Sequence, residues 1–333
     1  MNSRIKPLRV DPLNRRESLL TLLALGASSP TEAQVAGKVF RIGFVRANRP
    51  PDAFLTAFQQ GLRELGYVEG KNIVIEYRIS EVRNEQLPGI IEELMRLKVD
   101  LILASGAPPA LAAQKVTKSL PVVFVGVNGP LELGLVSSLA GPAGNITGLA
   151  ITSADLAGKR LELLKEMIPT LKRVAVLWNP TNPGNLVQLN GALEVAGMAR
   201  VQIQPVPISS PEGLESAFDM VRGADGLLLA DDPLFLAHRP RFVALVARSR
   251  LPAIYGIKDF VEAGGLMTYG ADLPDMYRRS ATFVDKILRG AKPADLPVEQ
   301  PMRFELIVNG KTARTLGLKI PYTVLLRANQ VIE

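Results

Sequence analysis

From Arg41 onward two patterns alternate along the chain: short, nearly unbroken runs of β-branched and aliphatic residues, and longer segments whose apolar positions recur every turn of a helix. The first pattern predicts strands buried on both faces and the second predicts helices that cover them, the combination found in parallel α/β sheets. Strands are expected at Arg41–Val45, Asn72–Arg78, Asp100–Ser105 and Pro121–Val127, with helices near Ala53–Leu65, Glu85–Leu97 and Pro109–Thr117.

The series then recurs. Arg41–Val45 answers to Arg173–Leu177, Leu62–Gly66 to Leu193–Gly197, Val99–Ala104 to Ala224–Ala230 and Leu120–Phe124 to Leu251–Tyr255, at offsets between 125 and 132. Four landmarks in the same order predict two copies of one βα half, hence an α/β fold of two like lobes, each a parallel sheet with helices on both faces. The carboxyl ends of both sets of strands would occupy equivalent positions, and ligands of open parallel sheets bind outside those ends. A ligand is therefore expected in the cleft between the lobes.

The N-terminus breaks the pattern. Arg4, Lys6, Arg9, Arg15 and Arg16 precede a short apolar run, Leu19–Ala27, and Thr31-Glu32-Ala33 offers a small-x-small cleavage site. That is the order of a secretory signal peptide, and the run is too short to span a bilayer. Residues 1–33 are read as a signal peptide cleaved near Ala33; the Arg15-Arg16 pair leaves a twin-arginine route open beside the general one. No cysteine follows for lipid attachment, so the expected localisation is the periplasm.

Composition narrows the chemistry. The chain of 333 residues holds no cysteine and one histidine, His238, which excludes disulfides, thiolate metal sites and cysteine nucleophiles. The formal charge of +7 falls to +5 once the five basic and three acidic residues of the leader are removed, and the remainder is scattered. Neither a basic patch nor a recognition helix supports nucleic-acid binding. Gly-x-Ser-x-Gly, Gly-x-Gly-x-x-Gly and His-Glu-x-x-His are all absent, and Gly310-Lys311-Thr312 lacks the glycine a phosphate-binding loop requires, Glu305 standing in its place. No catalytic residue, cofactor or metal is assigned.

Candidate contacts lie at the strand ends. Ser105-Gly106-Ala107-Pro108-Pro109 joins the third strand to a helix, and its hydroxyl and free amides suit an anion. The equivalent turn of the second copy is Asp231-Asp232-Pro233, where Asp231 suits a ligand ammonium and Asp232 reads equally as a helix N-cap. Trp178, Asn179 and Asn182 close the first strand of the second copy in Trp178-Asn179-Pro180-Thr181-Asn182-Pro183, Asn128 closes the fourth strand of the first, and Tyr255 and Tyr269 stand at two further ends, where their rings suit a wall. Micromolar binding takes about 8 kcal/mol, which a few polar contacts of about 1 kcal/mol each do not supply. Burying an aromatic ligand of about 150–250 Å² would add about 4–6 kcal/mol.

Several blocks carry a family resemblance: Phe58–Ile73, Gly158–Glu166, Val174–Pro180, Leu251–Tyr255, Phe260–Gly270 and the tail from Val284 through Ala294–Pro301 to Leu325–Ala328. They are similar to ABC-transporter substrate-binding proteins of the tryptophan-binding (TrpX-like) family. The resemblance implies a type I periplasmic binding protein fold, two Rossmann-like lobes joined by three crossovers, with lobe 1 formed by 40–150 plus 272–300, lobe 2 by 151–271 plus 301–333, and crossovers near Gly148–Thr152, Gly270–Asp272 and Pro301–Phe304. It implies a non-enzymatic, monomeric receptor that captures an aromatic amino acid or related carboxylate by lobe closure and delivers it to an ABC permease and ATPase. The family's Gly-Thr-Pro turn appears here as Gly106-Ala107-Pro108, without the hydroxyl, and its Gly-Asp-Pro turn as Asn128-Gly129-Pro130, without the acid. An exported or cytosolic α/β enzyme using Asp231 and Asp232 as acid and base is the alternative.

Overall fold

The computed structural model describes residues 38–47, 52–81, 83–151 and 153–333. The expected signal peptide lies outside them, as does Thr152 at the first expected crossover. Residues 40–333 form one compact unit.

The first sheet is wholly parallel. It comprises β1 (Phe40–Arg46), β2 (Ile73–Ile79), β3 (Leu101–Ser105), β4 (Val122–Asn128) and β5 (Ile146–Ile151), in the order β2-β1-β3-β4-β5. The helices between them are α1 (Asp52–Glu64), α2 (Leu87–Arg96) and α3 (Ala107–Val116). Each expected element is present, with ends shifted by one or two residues.

The second sheet repeats this order with β6 (Arg173–Trp178), β7 (Gln202–Pro207), β8 (Gly226–Leu229), β9 (Ala253–Tyr255) and β10 (Met267–Ala271) arranged β7-β6-β8-β9-β10. Two strands then extend it: β11 (Phe304–Asn309), antiparallel to β10, and β12 (Gln330–Ile332) beside β11. Its helices are α4 (Ser153–Met167), α5 (Pro183–Ala196), α6 (Leu214–Met220), α7 (Pro233–Ala237), α8 (Arg239–Arg248) and α9 (Asp259–Glu262). The equivalences read from the sequence, β1 with β6, β3 with β8 and β4 with β9, hold strand for strand.

Burial explains why these strands read as unbroken apolar runs. Successive side chains point to opposite faces. In β3, Leu101 and Leu103 enter one core cluster while Ile102 and Ala104 enter another. In the second sheet, Ala175 and Leu177 face one cluster and Val174 and Val176 the other. One cluster is continuous from Ile42 and Leu103 of the first sheet to Leu227 of the second and Phe235 of α7.

The chain passes between the sheets three times. After β5 it enters α4 on the second sheet; after β10 it returns as α10 (Leu273–Leu288), which packs on α1. Glu299 then bridges Leu149 at the first sheet's edge before the chain reaches β11. Two passages run side by side, the Asp272 amide donating to the Arg303 carbonyl at 3.3 Å. The short helices α11 (Gly310–Thr315) and α12 (Tyr322–Arg327) complete the chain.

Candidate ligand-binding cleft

Strand ends from both sheets converge on one cleft, with an empty volume of about 760 Å³ including its open mouth. The wall on the side of the first sheet carries Arg46, Phe54, Ser105, Gly106, Ala107, Asn128 and Tyr277; the opposite wall carries Arg160, Asn182, Asp231, Asp232, Gly256 and Ile257.

Arg46 ends β1 and pairs in register with Ser105 at the end of β3. It is 3% exposed, and among the described residues neither its Nε nor its Nη1 has a hydrogen-bond partner. What surrounds it is aromatic: its guanidinium carbon lies 5.7, 5.8 and 5.5 Å from the ring centres of Phe44, Phe54 and Tyr277. Cation–π attraction offsets part of the desolvation cost. Burial lowers the pKa of this guanidinium and Tyr277 opposes the shift, yet an arginine stays charged in a protein. Phe54 and Tyr277 stack at 5.1 Å and 13°, forming a flat wall beside it.

The turn after β3 differs from the expected anion nest. Gly106 caps α3 with φ +87°, a left-handed conformation that favours glycine, but its amide donates to the Val125 carbonyl at 2.9 Å. Pro108 and Pro109 have no amide hydrogen, so Ala107 alone keeps an N–H without a backbone acceptor in this first turn. The Ser105 hydroxyl is bonded to the Tyr277 hydroxyl. Asn128 is buried, its Oδ1 unpartnered, just beyond a bulge at Gly126.

On the opposite wall nearly every polar group is engaged. Arg160, 1% exposed on α4, donates to Asp231 Oδ2 at 2.9 Å and to the Tyr269 carbonyl at 2.7 Å. Gln188 Oε1 accepts from the Asp231 amide at 2.9 Å, and Asn185 Nδ2 donates to the Asp231 carbonyl at 3.0 Å. Gly256 is required by close approach: a Cβ there would lie 2.0 Å from both Arg160 Nη2 and Asp231 Oδ1. Asp232 caps α7 by accepting from the Leu234 amide at 2.8 Å, and it accepts from Asn179 at 3.1 Å and Asn182 at 2.7 Å. Its carboxyl pKa is raised to about 6, chiefly by burial, with its three hydrogen bonds opposing.

Of the residues singled out from the sequence, Ser105, Gly106, Ala107, Asn128, Asn182 and Asp231 line the cleft. Four do not. Asn179 is 1% exposed and spends its amide on Asp232 and Thr181. Trp178 packs against the core beneath the second sheet. Tyr255 is fully buried and stacks on Phe260 at 4.9 Å, because the alternation along β9 turns it away from the cleft. Tyr269 stacks on Phe304 and serves the site only through its carbonyl. Asn182 lines the cleft, but its carbonyl caps α5 and its amide holds Asp232.

Arg46, Phe54, Arg160 and Tyr277 were missed. The strand-end rule, applied to β1, would have found Arg46. Arg160 stands between Leu156 and Ala157 on one side and Leu163 and Leu164 on the other, the helical spacing of a buried face. Tyr277 carries no local signal, since α10 brings it from 172 residues beyond Ser105.

A family model for "ABC transporter substrate binding protein" matches residues 50–332. The chain belongs to this family. It is 28% identical over 264 residues to a "Tyrosine-binding protein" of Clostridioides difficile (strain R20291), covering 79% of this chain and 76% of that protein. Among solved structures, an ABC domain in complex with L-Trp from Streptococcus pneumonia has 27% identity and a TM-score of 0.83, covering 88% of this chain and 99% of that one. The ligand-free, open structure of a substrate binding protein with adhesive properties from Clostridium difficile matches at the same identity and coverages with a TM-score of 0.64. As a substrate-binding protein, the chain has the type I periplasmic binding protein fold and serves ligand capture for ABC import; the family and these neighbours are binding proteins, not enzymes. Among the described residues no helix is long and apolar enough to cross a membrane, and no group of three or more His, Asp or Glu is placed to hold a metal ion.

Proposed function

We propose that the protein is a monomeric periplasmic receptor that closes on an aromatic amino acid or related carboxylate and presents it to an ABC permease and its ATPase, performing no chemistry on it. The moving bodies are 40–150 plus 272–300 and 151–271 plus 301–333, and residues 1–33 direct export. The observation that carries the reading is the pair of structural matches: at equal identity and coverage, the chain superposes better on the tryptophan complex (0.83) than on the open, ligand-free receptor (0.64). Contacts across the cleft agree with a closed state. Asn84 donates to the Thr181 carbonyl at 3.3 Å, and a Cβ at Gly129 would lie 2.8 Å from Val187. Closure is favoured only by a ligand that touches both walls. The enzyme reading is weaker, because Asp231 is held by Arg160 and Asp232 is occupied as a cap.

The test is a thermal-shift screen of the mature protein over aromatic amino acids, aromatic acids and purines. A true ligand at 100 times its Kd stabilises the closed protein by about 2.7 kcal/mol, and deletion of the gene abolishes its uptake. Turnover of the stabilising compound by the purified protein would overturn the receptor reading.

A further inference from the structure

The two walls have unequal hydrogen-bonding balances, and the imbalance specifies the charge of what fits between them. On the side of the first sheet the free groups among the described residues are mostly donors: Nε and Nη1 of Arg46 lack acceptors, and the Ala107 amide has no backbone acceptor. The Ser105 and Tyr277 hydroxyls share one hydrogen in their mutual bond, leaving the other to donate. On the facing wall both carboxylates already have partners. Asp231 is tied to Arg160, and Asp232 accepts from Leu234, Asn179 and Asn182. Asp231 Oδ2 already holds a buried guanidinium, so a ligand ammonium would gain only a share of a charge that is largely neutralised, whereas a carboxylate would satisfy a guanidinium whose Nε and Nη1 have no hydrogen-bond partner among the described residues. Among the described residues that line the cleft, Asn128 Oδ1 is a buried neutral acceptor without a hydrogen-bond partner, and it suits a hydroxyl or ring N–H.

Resting on the receptor reading, we propose that Arg46 anchors the ligand's carboxylate and that the cleft selects an aromatic carboxylate without an ammonium group over the matching amino acid. A guanidinium desolvated among rings binds an anion more strongly than one in water, because it has no hydration left to lose. The stacked Phe54–Tyr277 pair beside it supplies the flat apolar surface for the ligand's ring.

Two matched series test this by titration calorimetry on the mature protein: 3-phenylpropanoate, phenylalanine and phenethylamine, and indole-3-propanoate, tryptophan and tryptamine. In at least one series the acid binds, the amino acid binds at least roughly tenfold more weakly, and the amine does not bind. Arg46→Gln and Arg46→Met each lower affinity for the acid by about 100-fold or more, with Arg46→Lys between them and the wild type. Circular dichroism of the variants separates this loss from unfolding. Equal or tighter binding of the amino acid, unchanged affinity for the acid in Arg46→Gln, or no binding of either acid overturns the proposal. Native mass spectrometry of protein recovered from its own host separates the two readings. A co-purified cation or zwitterion overturns the anion assignment and leaves the receptor standing, whereas turnover of the bound molecule overturns the receptor whatever its charge.

Discussion

The two halves share a strand order and differ in how their strand ends are finished. Arg46 ends β1 and its sequence equivalent, Trp178, ends β6; the first is a charge in the cleft without a hydrogen-bond partner for its Nε or Nη1 among the described residues, the second a half-buried ring packed against a core cluster. Gly106 caps α3 with no side chain, whereas Asp232, its equivalent, caps α7 and is itself held by two asparagines. One half thus leaves donors open to the cleft while the other has closed its polar groups into a network. In a buried site, groups with a full set of partners hold the wall in shape, and groups without them are where a ligand gains binding energy.

The largest test of that division is Asp231→Ala. It leaves the Arg160 guanidinium buried without its carboxylate, and urea denaturation is expected to show a loss of about 3–5 kcal/mol. Combining it with Arg160→Met should restore most of that loss, since two mutually dependent charges are then removed together. Additive losses would break the picture of one network.

Next in size is a pH effect at Asp232. Its carboxyl has an ordinary pKa of 3.8 and a folded value of about 6. Between these the folded chain holds the extra proton, so unfolding free energy should fall as pH rises through this window, by up to about 3 kcal/mol, and stay level above it. Asp232→Asn keeps an oxygen for the cap and should flatten this contribution, read as the difference between the two pH–stability curves. Parallel curves would show that the cap's hydrogen bonds cancel the burial.

The smallest effects compare the equivalent pair directly. Arg46→Met should leave stability unchanged or raise it by about 1 kcal/mol, because a buried charge that cation–π contacts compensate only in part is removed. Trp178→Phe should cost less than about 1.5 kcal/mol, since the indole Nε1 has no acceptor to lose, and should leave ligand affinity within about twofold. Denaturation and calorimetry on both variants check these; a large loss of affinity in Trp178→Phe would reverse the roles assigned to the two halves.

Much of the fold was legible because each sheet is covered on both faces. Unbroken runs such as Leu101–Ser105 and Val174–Leu177 survive only in that setting, and their recurrence exposed the repeat. The cleft was legible where a turn announced itself through Gly or Pro, at Gly106-Ala107-Pro108 and Asp231-Asp232-Pro233. It was misread where residue type stood in for direction. Tyr255 and Trp178 have the chemistry of a ligand wall, but strand alternation and packing turn them toward core clusters, and Asn179 spends its amide on Asp232 and Thr181.

The sequence by itself determined the repeated α/β plan and the strand ends as the place for a ligand, because hydrophobic periodicity and turn chemistry act over a few neighbouring residues. Only the tertiary structure decided which polar groups there are spent and which are free. Arg160 from α4 occupies Asp231, Tyr277 from α10 reaches Ser105, and Arg46 is left among rings with no acceptor for its Nε or Nη1 among the described residues. Whether a buried charge is partnered depends on residues brought together from far along the chain, and no local pattern encodes that pairing.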